Sequence, residues 1–131
     1  MLAIEDDGSI HLVRQYRPTV GAAMSRLPAG ASRKRPPLEA ARRELEEEAG
    51  LVAREWISLG AIWPLDGVVR HRIHHFVARG LSPRATAHET FEDITVHRLR
   101  DELRRMIAGG ELVDGVALAL LARWAAREGE G

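Results

Sequence analysis

Cysteine is missing from all 131 residues of the chain. That excludes a disulfide framework, a thiolate zinc site and a cysteine nucleophile. Charge of one sign is also missing: 19 Lys and Arg balance 19 Asp and Glu, for a formal net charge of zero. A general nucleic-acid binder needs a basic surplus, so nucleic acid is not an expected partner. No apolar run approaches the ~20 residues of a membrane span. The acidic stretch from Met1 to Gly8 lacks the apolar segment of a secretory signal. No membrane partner is therefore expected, and the cytoplasm is the expected location. Internal repeats and low-complexity tracts are absent as well. What remains is 45% hydrophobic and 29% charged, an ordinary globular composition of a length that suits one domain over residues 1–131.

The most informative stretch runs from Leu38 to Leu51. It is rich in Ala, Leu, Glu and Arg, has no Gly or Pro before Gly50, and follows Pro36-Pro37. This predicts a helix with proline in its first turn and Gly50 as its C-terminal stop. Leu38, Ala41, Leu45 and Ala49 recur at helical spacing and form an apolar stripe. Glu44, Glu47 and Glu48 are related by i, i+3 and i+4, so their carboxylates share another face. Like charges so placed repel by roughly a few tenths of a kcal/mol per pair. A hard divalent cation would reverse the sign, because Mg²⁺ takes oxygen ligands, often one or two carboxylates plus substrate phosphates. The alternative is a solvated face, with Glu39–Arg43 and Arg43–Glu47 as ordinary i, i+4 pairs.

Around this helix the chain reads as strands first and last. Leu2–Glu5 and Ile10–Tyr16 are strand candidates joined by Asp6-Asp7-Gly8, a turn with hairpin chemistry. Met24–Pro28 is a short third strand, Glu55–Trp63 and Arg72–Val77 follow the helix, and Ile94–Leu99 is the last. A short helix is expected over Asp101–Ala108, and a final one from the N-cap Asp114 to Arg127. The pattern suits an α/β fold, a mixed sheet covered by helices on both faces. Trp56, Trp63 and Trp124 read as core. His71, His74 and His75 cannot easily share one ion on a strand, since neighbours point to opposite faces; packing or substrate contact is expected of them.

Arg43-Glu44-Leu45-Glu46-Glu47-Glu48-Ala49-Gly50-Leu51 resembles the second half of the Nudix box, R-E-U-x-E-E-x-G-U, at every fixed position. The first half departs from the pattern. Gly30 lies thirteen positions before Arg43 where the family has fourteen, and its first Glu falls on Pro36 or Arg35. Val13-Arg14-Gln15-Tyr16-Arg17-Pro18, Leu27-Pro28-Ala29-Gly30, Glu92-Asp93-Ile94 and Gly110-Glu111-Leu112 resemble the ADP-ribose pyrophosphatase branch, so the likeness spans nearly the whole chain. The extra N-terminal strands usual in that branch have no counterpart in this sequence.

The resemblance implies a Nudix-type α/β/α sandwich and a Mg²⁺-dependent hydrolase, with Mn²⁺ as a substitute. The substrate would be a nucleoside diphosphate derivative such as ADP-ribose or another nucleotide-sugar. Glu44, Glu48 and the Ala29 carbonyl would be metal ligands, with Glu47 a third ligand or catalytic acid. Glu92, or else Glu89, would be the general base. Arg43 would orient Glu47, with Gly30 and Gly50 as structural glycines. Arg17, and Arg33 and Arg35 in the basic loop, would meet substrate phosphate. A homodimer is implied too. The shortened loop leaves open a binding module that senses a nucleotide-sugar without turnover.

Overall fold

In the computed structural model, residues 1–84, 94–98 (as backbone) and 100–129 are described. The elements in chain order are β1 (Leu2–Ala3), β2 (Ile10–Arg17), β3 (Ala22–Arg26), α1 (Pro37–Ala49), β4 (Leu51–Ile62), β5 (Ile73–Pro83), β6 (Ile94–Arg98), α2 (Arg100–Ala108) and α3 (Gly115–Gly129). They form a mixed three-stranded sheet, β1-β5-β4, and an antiparallel one, β3-β2-β6. The strands therefore divide between two sheets, only one of them mixed. No helix among the described residues is long and apolar enough to cross a membrane.

Burial explains the division. The Asp6-Asp7-Gly8 turn does form: Gly8 N donates to Glu5 O and Glu5 N to Ser9 O, both at 2.9 Å, with Gly8 at φ 83°. The expected hairpin shrinks to one bridge between Ile4 and Ile10. Leu2 and Ala3 instead pair in parallel with Val77 and Ala78 of β5. Both are fully buried, and a strand buried on both faces belongs against a central strand rather than in a half-exposed hairpin.

Side-chain alternation along β1 and β5 then sends successive residues to opposite layers. Ala3, Phe76 and Ala78 pack with Ala41 and Leu45 of α1. Leu2, Ile4 and Val77 pack with Leu103 and Met106 of α2 and Leu120, Leu121 and Trp124 of α3. One face of the mixed sheet is thus covered by α1 and the other by α2 and α3, an α/β/α arrangement.

The helix termini follow their sequence signals. Gly50 takes the left-handed conformation at φ 65° and its N–H caps the Glu46 carbonyl, the geometry for which glycine carries no steric cost. Asp114 Oδ2 accepts from Ala117 N at 3.1 Å, capping α3. The strands run further than local propensity suggests. β4 starts directly at Leu51 and β5 reaches Pro83, because the two pair from Leu51↔Pro83 to Ile62↔Ile73 with a bulge between Ser58 and Ala61. Trp56 packs edge-on against Phe76 at 6.4 Å, and Trp124 is buried. Trp63 departs from the core expectation: it is 48% exposed, with the Arg72 guanidinium 5.6 Å from its ring.

Candidate active site

Helical spacing places Glu44 and Glu48 one turn apart, and the fold turns both inward. Their side chains are 14% and 12% exposed, whereas Glu47 is 51% exposed and points outward. Two successive residues of the loop after β3 lie against the inward pair. Ala29 N donates to Glu48 Oε2 at 3.1 Å. At Gly30, an added Cβ would overlap Cγ, Cδ and Oε1 of Glu44, so a side chain there would displace the Glu44 carboxylate from its present place. The loop is clasped between the two carboxylates despite its shortened spacing. Arg43 lies outside the clasp, reaching Glu47 Oε1 at 3.3 Å and Glu44 Oε1 at 3.5 Å. Gly50 serves only as the far cap of the helix.

Glu48 has a further partner that the sequence reading did not single out. Arg26, the last residue of β3, is 8% exposed, and its Nη2 reaches Glu48 Oε1 at 3.3 Å. Its Nε and Nη2 also donate to Gln15 Oε1 at 3.0 and 2.7 Å. The same oxygen accepts from Arg17 Nη1 at 3.1 Å. One neutral amide oxygen therefore brings two guanidinium groups together. The available signal was a lone arginine ending a short strand directly before Leu27-Pro28-Ala29-Gly30.

Arg17, Arg26, Ala29 and Gly30 share the wall of a cavity of about 460 Å³ with His71 and His75. His75 is 1% exposed, and neither of its ring nitrogens has a hydrogen-bond partner among the described residues. Burial, with smaller contributions from the Arg123 guanidinium and the amino terminus, pushes its pKa down to about 4. His75 is thus a neutral imidazole at physiological pH.

Arg33 and Arg35 do not line this cavity, and their side chains make no ion pair among the described residues. Arg33 and Lys34 do adopt positive φ, 44° and 67°, so the turn before α1 is tight. Glu89 and Glu92 lie outside the described residues.

The donor set around the clasp suits a hard divalent cation. It comprises two inward carboxylates and the carbonyl of the loop residue bound to one of them. Among the described residues, no group of three His, Cys, Asp or Glu side chains converges to hold a metal ion. Both oxygens of Glu48 are engaged in this arrangement, Oε1 by Arg26 and Oε2 by Ala29 N.

Comparison with known proteins decides the family. The NUDIX domain model matches residues 1–110. This chain belongs to the Nudix family. The Nudix chain is 34% identical over 125 residues to the ADP-ribose pyrophosphatase of Mycobacterium tuberculosis strain H37Rv, which covers 91% of this chain and 60% of that protein. It is 34% identical over 94 residues to the ADP-ribose pyrophosphatase of Bacillus subtilis strain 168, covering 71% and 51%. Its match to the methanol dehydrogenase activator of Bacillus methanolicus is 36% over 96 residues, again covering 71% and 51%. The chain thus spans between half and three-fifths of the length of these relatives. A crystal structure described as an ADP compounds hydrolase superposes with a TM-score of 0.83 over 99% of this chain and 72% of that one, at 19% identity; the fold is the same.

Proposed function

We propose that this Nudix chain is a Mg²⁺-dependent pyrophosphohydrolase of nucleoside diphosphate derivatives, with ADP-ribose or a related nucleotide-sugar as substrate. The observation that carries the reading is the clasp: Ala29 and Gly30 held against Glu48 and Glu44 at the wall of the cavity. Support for the substrate comes from the two relatives named ADP-ribose pyrophosphatase.

Glu44, Glu48 and the Ala29 carbonyl would hold Mg²⁺, or Mn²⁺ in its place. Such an ion supplies neutralisation of the diphosphate charge and a more acidic water. The remaining work falls to the chain. Arg17 offers its guanidinium to a phosphate oxygen in a planar, two-pronged contact. Arg43 steadies Glu47. Glu47, or Glu92 or Glu89 from the segment before β6, takes the proton of the water that attacks phosphorus. For ADP-ribose the products are AMP and ribose 5-phosphate. Arg33 and Arg35 stand ready to meet a phosphate on the outer side of the loop.

A small-molecule partner, with no nucleic acid, accords with the balanced charge. A homodimer and a cytoplasmic location complete the reading, the dimer on the strength of the family resemblance. A sensor without turnover is not favoured, because the shortened loop still meets both carboxylates. Glu48→Gln tests the mechanism: at saturating Mg²⁺, ADP-ribose turnover should fall by about 100-fold or more. Unchanged turnover would overturn it.

A further inference from the structure

The acidic face of α1 carries two arginine contacts of different kinds. Arg43 lies on the helix itself and is 43% exposed, free to swing away. Arg26 comes from β3 and is nearly enclosed, and its side chain cannot leave without disturbing its other contacts. Its shortest bonds go to Gln15, at 2.7 and 3.0 Å, and Nη1 reaches Leu27 O at 3.4 Å. The contact to Glu48 Oε1, at 3.3 Å, is longer than either bond to Gln15. Gln15 and Leu27 therefore hold Arg26 in place whether or not Glu48 is engaged elsewhere.

The second oxygen of Glu48 accepts from Ala29 N. The carboxylate is thus oriented from both sides by groups that remain when a cation arrives. One of the two is a full positive charge. A fixed cation in contact with a carboxylate orients it and opposes a second cation on it.

We propose that Arg26 is a positioning residue and standing competitor for Glu48. It holds the carboxylate ready while no divalent cation is bound, and by its charge it weakens the grip on that cation once bound. The inference rests on the metal-binding reading of Glu48. It adds a determinant of metal affinity from the strand behind the helix. Mg²⁺ or Mn²⁺ must win Glu48 from Arg26, and an anionic diphosphate in the adjoining cavity, which Arg26 also lines, offsets the charge that opposes them.

The test is Mn²⁺ affinity of the full chain without substrate, read by electron paramagnetic resonance of free Mn²⁺, for wild type, Arg26→Met, Arg26→Gln, Arg26→Lys and Glu48→Gln. Thermal melts report folding of each variant. Both neutral variants should bind Mn²⁺ more tightly than wild type, by about tenfold, while Arg26→Lys stays within about twofold of wild type because it keeps the charge. Unchanged or weaker binding by the folded neutral variants would overturn the proposal. So would failure of both to fold, which would mark Arg26 as a strut. If wild type binds no Mn²⁺, or Glu48→Gln binds it equally well, the metal-binding reading itself falls. That outcome is distinct from a wild type that binds through Glu48 but is indifferent to residue 26.

Discussion

Two glutamates one residue apart on α1 each meet an arginine at the same 3.3 Å separation, one from β3 and one from the helix itself. Arg26–Glu48 has side chains 10% and 12% exposed; Arg43–Glu47 has 43% and 51%. Equal distance does not mean equal worth. Water screens the outer pair, so its contribution is that of an ordinary surface contact, about 0.3–0.5 kcal/mol. The inner pair has surrendered most of its hydration, and removing one partner strands a buried charge. Function sorts along the same line. In the inner pair Glu48 binds the loop and Arg26 lines the cavity; the outer pair lies on the helix surface.

The largest expected effect is Glu48→Ala, which leaves Arg26 buried beside Gln15 with no counter-charge. Urea denaturation should show a loss of about 3–5 kcal/mol; a loss under about 0.5 kcal/mol would erase the contrast between the pairs. Gly30→Ala comes next. Its new Cβ needs the space of the Glu44 carboxylate, a flexible side-chain end that can swing aside. The fold should tolerate the change while kcat falls by about 100-fold, equivalent to about 2.7 kcal/mol of barrier; steady-state kinetics beside a thermal melt separates the two effects.

His75 sharpens the comparison from another side, being buried like Arg26 but without a hydrogen-bond partner among the described residues. Its folded pKa, about 4, lies below the unfolded value near 6.5. Between those values the unfolded chain binds the extra proton, so stability is full above about pH 6.5 and falls as pH drops toward 4. The loss should approach about 3 kcal/mol by pH 4, measured by denaturation at several pH values. His75→Leu should flatten that window. The smallest effect belongs to the outer pair: a double-mutant cycle on Arg43 and Glu47 should return about 0.3–0.5 kcal/mol and shrink in salt.

Local signals were legible where the chain's own periodicity or stereochemistry decides. The Leu38–Ala49 stripe, the Gly50 stop and the Asp114 cap all appear as the sequence implies, and the core side of α1 is read correctly from Leu45. Glu44 and Glu48 could be grouped on one face from spacing alone. Their inward turn could not, because Glu47 shares that face and differs only in what packs above it. Trp63 looked like core by residue type, yet it stands just past the end of β4 and is half-exposed. β1 illustrates the same limit. Its turn chemistry pointed to β2, but both its faces are buried and its partner β5 lies some seventy residues away.

What the sequence alone determined is the set of elements, the apolar stripe, the caps and the row of carboxylates, since each depends on neighbours within a few residues. Only the tertiary structure decided which carboxylates face the loop, that a strand arginine shares Glu48 with it, and that His75 is buried with no hydrogen-bond partner among the described residues. Those outcomes depend on which groups lose water together, and desolvation is settled by residues far apart in the chain.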